Sequence, residues 1–204
     1  MRITLLRHGK PNCDRNKWLR FSQFKQWIEA YKNVDLDESF IFPSSFETLT
    51  SINKAVFSSD LPRSIQTAKG LSPVLVSNSI FREVDFSLPK IFLPIRLRPM
   101  MWMTLCRIIW ILGFHCQVES VYNTKERAQR AADLLIYNAL KKMDVILVGH
   151  GFFNLFIATE LRKKGWKGPL IPNFGFSKGS SYFPHLLGSQ SVDQTNNSTE
   201  YKVN

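Results

Sequence analysis

The sequence predicts a three-layer α/β/α domain with a mostly parallel central sheet over residues 1–187. Two features predict this fold class: short runs rich in β-branched and aliphatic residues, and longer segments in which apolar residues recur at steps of three and four. The runs predict strands at 2–6, 54–58, 73–77 and 143–148. The periodic segments predict helices at 16–33, 60–71, 123–142 and 152–164. Because the two kinds of element alternate, the strands are expected to run parallel with helices on both faces.

The first predicted strand, at 2–6, ends shortly before the sequence Gly9-Lys10-Pro11. His8 therefore lies just past the carboxyl end of a strand. In open parallel sheets, ligands bind outside that end of the strands. The position favours a functional role for His8 over a role in packing.

Aromatic side chains mark one face of the helix predicted at 16–33. The residues that recur at helical spacing are Trp18, Phe21, Phe24, Trp27, Ile28 and Tyr31. Such a stripe most commonly packs against a protein core, so we expect a core-facing helix. The alternative is that the stripe borders a substrate pocket.

The strand at 54–58 leads into the helix at 60–71. Ser58, Ser59 and Asp60 are candidate N-caps, and Pro62 suits the first helical turn. Arg63 is thereby placed in that first turn, where free backbone N–H groups and the helix dipole attract anions. A strand at 73–77 and an extended piece at 80–86 follow.

Residues 88–116 combine arginines and prolines with an apolar run from Met100 to Phe114. The run has about 15 residues and is interrupted by Arg107, whereas a helix that crosses a bilayer needs about 20 apolar residues. We therefore do not expect a membrane span. The segment can be a buried helix, a lid over the active site, or a helix that lies on a membrane surface.

The second half of the chain repeats the strand and helix layout. The helix at 123–142 has Asn123 or Thr124 as its cap and is expected to pack on the sheet. The strand at 143–148 ends in Gly149-His150-Gly151, and the helix at 152–164 follows. Residues 188–204 are polar and lack periodicity, which predicts a disordered tail.

Composition narrows the class of protein. Of the 204 residues, 44% are hydrophobic and 21% are charged, which is typical of a soluble globular domain. The net charge of +11 should attract anions such as phosphate esters, nucleic acids or acidic lipids. No nucleic-acid-binding motif is present, so nucleic acid is not expected as a partner. Three cysteines without metal-ligand spacing and an N-terminus unlike a signal peptide predict a cytoplasmic protein.

Two histidines, in Arg7-His8-Gly9 and Gly149-His150-Gly151, follow predicted strands and should meet at one edge of the sheet. Arg63 adds a guanidinium that can hold two phosphate oxygens. A glycine beside a reactive side chain lets a phosphate approach closely, so Gly9 is expected to help bind phosphate. The sequence therefore predicts a phosphate pocket assembled from three loops.

Four segments, in this order, resemble the histidine phosphatase superfamily, which includes phosphoglycerate mutases and α-ribazole-phosphate phosphatases. They are Leu6-Arg7-His8-Gly9, the segment from Ser58 to Ala68, the segment from Phe81 to Phe86, and Val148-Gly149-His150-Gly151. The resemblance implies a phosphoglycerate mutase-like fold and a phosphomonoesterase of the histidine acid phosphatase type. It implies that His8 is the nucleophile that forms a phosphohistidine, and that Glu83 donates a proton to the leaving oxygen. Arg7, Arg63 and His150 would surround the transferred phosphoryl group.

Two arginines and a protonated histidine would supply positive charge without a metal, so no metal and no cofactor are predicted. Asp85 can share a face with Glu83 on an extended segment, so Asp85 is the alternative acid. The candidates for substrate contacts from a lid are Arg96, Arg98, Trp102 and Arg107.

The expected partner is a small phosphorylated substrate, while peripheral membrane contact and the oligomeric state are left open. The alternatives to hydrolysis are phosphoryl transfer of the phosphoglycerate mutase type and a non-catalytic module that binds phosphorylated ligands or a membrane surface.

Overall fold

A six-stranded sheet lies at the centre of the protein in a computed structural model, which describes residues 1–44, 54–85, 94–113, 119–141 and 144–185. The strands are β1 (Arg2–Arg7), β2 (Leu19–Arg20), β3 (Lys54–Ser58), β4 (Val76–Ser77), β5 (Arg96–Leu97), β6 (Asp144–Gly149), β7 (Trp166–Lys167) and β8 (Gly179–Pro184). The helices are α1 (Phe21–Lys32), α2 (Pro62–Lys69), α3 (Pro99–Ile111), α4 (Val121–Leu140) and α5 (Gly151–Lys163). A short 3₁₀ turn covers Ser79–Phe81.

The strand order in the central sheet is β4-β3-β6-β1-β8-β7, and β2 and β5 form a separate pair. The neighbours β4, β3, β6 and β1 are mutually parallel, whereas β8 and β7 are antiparallel to their neighbours. The predicted mostly parallel sheet is confirmed.

Strand register brings three chain segments to one edge of the sheet. Arg7 at the end of β1 pairs with Gly149 at the end of β6, and Ser58 at the end of β3 pairs with Val148. Because the strands are parallel, the residues that follow them leave the sheet on the same side. His8, His150 and the start of α2 are therefore neighbours.

Two hydrophobic clusters place helices on opposite faces of the sheet. On one face, Ile3 and Leu5 of β1 pack with residues of α4 and α5. On the other face, Leu6 of β1 and Val56 of β3 pack with Ala68 of α2. Alternate residues of a strand point to opposite faces, so β1 is covered on both sides. These contacts give the three layers that the sequence predicts.

A third cluster joins α1 to α3. Phe21, Phe24 and Ile28 of α1 pack against Trp102 and Cys106 of α3. The indole Nε1 of Trp102 also donates a hydrogen bond to the carbonyl oxygen of Leu19, with 2.8 Å between the two atoms. The aromatic stripe of α1 therefore packs on α3, which lies in the segment 88–116. The sequence allowed three interpretations of that segment: a buried helix, a lid and a membrane-surface helix.

Helix α3 has its inner side in this cluster and its outer side in solvent. Within the described residues, no helix has the length and apolar character needed to cross a membrane.

The structure corrects several predicted boundaries. Helix α1 begins at Phe21 rather than at residue 16, because Leu19 and Arg20 pair with β5 instead. Helix α4 begins at Val121, and its cap is Ser120, whose hydroxyl accepts a hydrogen bond from the Asn123 N–H. The strand expected at 73–77 covers only Val76–Ser77.

Strand β8 was not predicted from the sequence. Its residues Gly179, Ser180 and Ser181 have weak strand preference, and the strand forms because it pairs with β1. The predicted tail at 188–204 lies outside the described residues.

The α1–α3 cluster predicts a large difference between two tryptophans. Trp102 is completely buried, whereas more than half of Trp18 is exposed. Trp102→Ala is expected to lower the free energy of unfolding by about 3–5 kcal/mol, because it leaves a cavity in a packed cluster. Trp18→Ala is the matched control and should change it by about 0.5 kcal/mol or less. Urea denaturation measures both free energies, and equal effects would contradict the packing of α3 against α1.

Candidate active site

His8 and His150 lie side by side at the carboxyl edge of the sheet. Their ring centroids are 5.1 Å apart, with an angle of 62° between the ring planes. His8 is 2% exposed and His150 is 1% exposed. The His8 backbone N–H donates to the carbonyl oxygen of Gly149 over 3.0 Å, which ties the two histidine loops together.

Hydrogen bonds define the tautomer of His8. Its Nε2 lies 3.2 Å from the Arg63 Nε, and a guanidinium N–H can only donate, so Nε2 must be the unprotonated nitrogen. Its Nδ1 lies 2.7 Å from the carbonyl oxygen of Gly9 and donates to it. The free electron pair of the imidazole is therefore on Nε2, beside Arg63.

Both histidines are held in the neutral form. Burial lowers the pKa of His8 well below its ordinary value of 6.5, and the nearby Arg63 and Arg7 lower it further. Burial also lowers the pKa of His150, with additional contributions from His8 and the same arginines. A protonated His150 was expected from the sequence, whereas burial in the structure favours a neutral ring. A phosphate dianion placed between the two rings would favour protonation again.

Arg63 is fixed by backbone carbonyl groups. Its Nη1 donates to the carbonyl oxygens of Tyr31 and Lys32, over 3.1 and 3.0 Å. The guanidinium carbon also lies 4.7 Å from the centroid of the Tyr31 ring. With Nε on His8 and Nη1 on the two carbonyls, Nη2 is left as the donor for an anion.

Arg7 is held by the segment that precedes β8. Its Nη1 donates to the carbonyl oxygen of Phe174, and its guanidinium carbon lies 4.0 Å from the centroid of the Phe176 ring. Its Nε is buried and has no hydrogen-bond partner among the described residues. A buried N–H donor without a partner is costly, so Arg7 is held in place at some expense of stability.

Ser177 supports the same segment with an unusual backbone conformation. Its φ angle of 55° lies in the left-handed region, which only glycine adopts easily. The Ser177 N–H donates to the carbonyl oxygen of Arg7 over 3.1 Å. Local strain is thus accepted where the chain has to follow the end of β1.

Glu83 lies at the N-terminus of α5. Its carboxylate oxygens accept hydrogen bonds from the N–H groups of Phe152 and Phe153, at 3.2 and 3.0 Å. These helical N–H groups have no partner inside the helix, so Glu83 caps α5. The end of α5 is therefore occupied by Glu83 and is not a free anion site.

Two arginines fix the chain around Glu83. From α3, Arg107 donates to the carbonyl oxygens of Val84 and Asp85, and its Nη2 lies 3.8 Å from Glu83 Oε1. From α4, Arg127 donates to the carbonyl oxygens of Ile80 and Arg82, at 2.8 and 2.9 Å. The Glu83 segment has no regular structure of its own and owes its position to these side chains.

Asp85 is placed differently from Glu83. More than half of its side chain is exposed, and its Oδ1 lies 3.2 Å from Lys32 Nζ. Both carboxylates line the same cavity.

Histidine, arginine and carboxylate side chains described above line a cavity of about 140 Å³. Its lining includes all five residues that the resemblance assigns to catalysis, which are Arg7, His8, Arg63, Glu83 and His150. The other lining residues are Ile28, Tyr31, Lys32, Leu61, Arg82, Val84, Asp85 and Met103. Apolar side chains thus form much of the wall next to the charged groups.

Gly9 does not have the place that the sequence analysis expected. It does not line the cavity. Its N–H donates a hydrogen bond to the Thr67 hydroxyl over 2.9 Å, and its carbonyl oxygen accepts a hydrogen bond from the His8 Nδ1–H. A side chain at this position would collide with the Phe40 ring, at 2.7 Å from its Cβ. Gly9 therefore allows close packing around His8 and does not line the cavity.

The four residues expected to contact substrate from a lid do not line the cavity either. Trp102 belongs to the α1–α3 cluster, Arg107 holds the Glu83 segment, and Arg96 and Arg98 are exposed outside the cavity. Helix α3 does border the cavity, but through Met103. The expectation of a lid rests on residues 88–116, of which 88–93 and 114–116 lie outside the described residues.

Several site residues were not found from the sequence. Phe174 and Phe176 come from a segment without a recognisable motif, and Ser64 contacts His150 Nε2 at 3.3 Å from a helix chosen for Arg63 alone. Tyr31 was noted only as part of an aromatic stripe. Its position at the end of α1 places it over Arg63, so the stripe both packs and borders the pocket.

Within the described residues, no three or more His, Cys, Asp or Glu side chains are grouped as metal ligands would be. The charges that face His8 belong to the arginines.

Solved structures with the same fold include three enzymes. A mycobacterial glucosyl-3-phosphoglycerate phosphatase, solved with VO3, has a TM-score of 0.61 and 17% identity, over 88% of this chain and 90% of its own. A phosphoserine phosphatase variant from Entamoeba histolytica, solved with phosphoserine, has a TM-score of 0.58 and 14% identity, over 88% and 89%. A phosphoglycerate mutase from Bacillus anthracis has a TM-score of 0.55 and 15% identity, over 90% and 88%.

No protein-family model matches the sequence, and no curated protein matches it significantly. The similarity to these solved structures confirms the phosphoglycerate mutase-like fold that the resemblance implied.

The two neutral histidines predict a pH-dependent stability. Histidines in the unfolded chain titrate near 6.5, whereas His8 and His150 in the folded protein do so at lower pH. Below pH 6.5, and above the lowered pKa of the folded protein, the unfolded chain binds more protons than the folded protein does. The free energy of unfolding should therefore fall as the pH drops, by up to about 2.7 kcal/mol per pH unit for two groups. His8→Asn should reduce this slope by about half. Urea denaturation between about pH 5 and 7.5 measures it, and an unchanged slope in His8→Asn would refute the assignment.

Proposed function

We propose that this protein is a phosphatase that hydrolyses phosphate monoesters through a phosphohistidine on His8. The observation that carries the proposal is the state of His8. Its Nδ1–H donates a hydrogen bond to the Gly9 carbonyl oxygen, and its Nε2 is unprotonated beside Arg63. The ring lines a cavity together with Arg7 and His150. An imidazole attacks phosphorus only through an unprotonated nitrogen.

In the first step, His8 Nε2 forms a bond to phosphorus while the bond from phosphorus to the ester oxygen breaks. The leaving oxygen takes a proton from Glu83, which has to enter this step as the carboxylic acid and leaves it as the carboxylate. In the second step, water attacks the phosphohistidine and gives a proton to Glu83, and the bond from nitrogen to phosphorus breaks. The products are an alcohol or phenol and inorganic phosphate, and His8 and Glu83 return to their starting states.

The arginines would stabilise the charge on the three equatorial phosphoryl oxygens. Arg63 offers Nη2, and Arg7 lines the same cavity, while backbone carbonyl groups already hold one end of each guanidinium. Preorganised donors of this kind need no rearrangement when charge develops. We therefore propose a reaction that does not require a metal, which activity in the presence of a chelator would support.

The low pKa of His8 has a consequence for the working range. The ring stays unprotonated to a lower pH than an ordinary histidine does, so the nucleophile should remain competent at mildly acidic pH. The apolar wall formed by Ile28 and Met103 suits an aryl or another apolar leaving group. The cytoplasmic location stays a prediction.

The phosphohistidine can be trapped directly. On rapid acid-free quenching with a ³²P-labelled aryl phosphate, the wild-type protein should carry label that is stable to alkali and labile to acid, as a phosphoramidate is. His8→Asn should carry no label and should lose turnover by about 10³-fold or more. His185→Asn is the matched control, because His185 is an exposed histidine outside the cavity.

Label in His8→Asn equal to the wild type, or no turnover by metal-free wild-type protein, would rule out the proposal. With 3-phosphoglycerate as substrate, a hydrolase yields free phosphate, and an isomer would indicate a mutase instead.

The choice between Glu83 and Asp85 as acid can be made from the leaving group. Glu83→Gln should slow hydrolysis of an alkyl phosphate by about 10²–10⁴-fold. An aryl phosphate with an acidic phenol should lose much less, because its leaving group needs no proton. Asp85→Asn, which alters the exposed carboxylate on the same segment, is the control and should leave the ratio of the two rates unchanged. The opposite pattern would assign the acid to Asp85.

A further inference from the structure

The outer face of α3 is apolar and exposed. This face consists of Met100, Met101, Ile108, Ile111 and Leu112, and Ile108 and Ile111 are 50% and 58% exposed. These positions follow one another at helical steps along the side of α3 that faces away from α1. The one hydroxyl nearby, on Thr104, donates to the Met100 carbonyl oxygen over 3.0 Å. Monomeric proteins seldom expose an apolar stripe of this kind without a use for it.

Charge along the same segment has a single sign. Residues 94–113 contain Arg96, Arg98 and Arg107 and no acidic residue. Arg107 is directed inward to the carbonyl groups of Val84 and Asp85. The outer face of α3 therefore carries no charge, and the positive charges lie at the start of the helix.

Three arginines form a cluster at that start: Arg20, Arg96 and Arg98. Arg20 and Arg96 are direct cross-strand partners in the β2–β5 pair. Like charges placed opposite each other destabilise a strand pair. None of the three forms an ion pair with a carboxylate among the described residues. The cluster therefore lacks a counter-ion within the described part of the protein.

Trp18 completes this end of the surface. Its ring is more than half exposed, and the Arg98 guanidinium carbon lies 5.5 Å from the ring centroid. Tryptophan favours the boundary between apolar and aqueous phases, because its ring is apolar and its N–H is polar. Arg98 also precedes Met101 by one helical turn, so the cluster continues directly into the apolar face.

We propose that the outer face of α3 and the arginine cluster together bind the surface of a membrane that contains anionic lipids. The helix would lie in the plane of the interface, with Ile108 and Ile111 among the lipid chains and the arginines at the anionic headgroups. The inference is independent of the proposed phosphatase activity.

Complementary charge favours a membrane over a second copy of the chain. An anionic bilayer offers apolar chains and negative charges at the depths where this surface presents apolar and positive groups. Two copies of the chain, each with a net charge of +11, would repel each other. A protein partner would need both an apolar groove and an acidic cluster at matching positions.

Vesicle sedimentation tests the proposal with the full chain. The wild-type protein should sediment with vesicles of phosphatidylcholine and phosphatidylserine, and much less with phosphatidylcholine alone. Added salt should weaken the binding. Ile108→Glu/Ile111→Glu should lower the partition coefficient by about tenfold or more, because two apolar side chains no longer enter the lipid. Arg96→Gln/Arg98→Gln should weaken binding to the anionic vesicles only.

A matched control is available on α4. Tyr137 and Leu140 are 59% and 61% exposed and have the same three-residue spacing as Ile108 and Ile111. Tyr137→Glu/Leu140→Glu adds the same charge at another surface and should bind vesicles as the wild type does. Circular dichroism and urea denaturation should give the same fold and similar stability for both glutamate variants, so a folding defect is distinguished from lost membrane binding.

Three results would overturn the proposal. The first is equal vesicle binding by the α3 and α4 glutamate variants. The second is equal binding of the wild type to neutral and anionic vesicles. The third is an absence of vesicle binding together with a dimer, seen by light scattering, that Ile108→Glu/Ile111→Glu dissociates, which would assign the face to a second copy.

Discussion

The parallel register of β1 and β6 is the constraint on which the site depends. Pairing of Arg7 with Gly149 makes both chains leave the sheet at the same level, and the next residue in each is a histidine. A hydrogen bond from the His8 N–H to the Gly149 carbonyl continues the pairing beyond the strands. Because a shift by one residue would turn each side chain to the other face of the sheet, the apolar cores on both faces also fix where the histidines lie.

Burial of so many polar groups in one place is costly, and the structure offsets the cost in a particular way. Arg63 and Arg7 are held by backbone carbonyl groups rather than by carboxylates. Neither guanidinium forms an ion pair with a carboxylate among the described residues, and burial together with their positive charge lowers the pKa of both histidines. An arginine paired with a carboxylate would cost less free energy to bury, but it would attract a phosphate dianion less strongly. The site is thus preorganised for an anion at some expense of stability.

The parts predicted well from the sequence are those whose pattern is local. The strands at 2–6 and 143–148 are apolar runs that end in a histidine, and parallel pairing alone then brings His8 and His150 together. Arg63 follows from its place in the first turn of a helix. Phe176 and strand β8 were missed because their structure depends on pairing with β1, which lies far away in the sequence. Gly9 was expected to help bind phosphate, whereas in the structure its N–H donates to Thr67 and the Phe40 ring fills the space that a side chain would need.

Helix α3 connects the site to the rest of the surface. Its inner side contributes Met103 to the cavity and Arg107 to the Glu83 segment, while Trp102 anchors it to α1 and β2. Arg107 is the one charged residue in α3, and hydrogen bonds to two carbonyls draw it inward. The same hydrogen bonds that position Glu83 therefore leave the outer face without charge. An arginine turned outward at residue 107 would both release the Glu83 segment and place a charge on that face, so the two properties of the helix depend on one side chain.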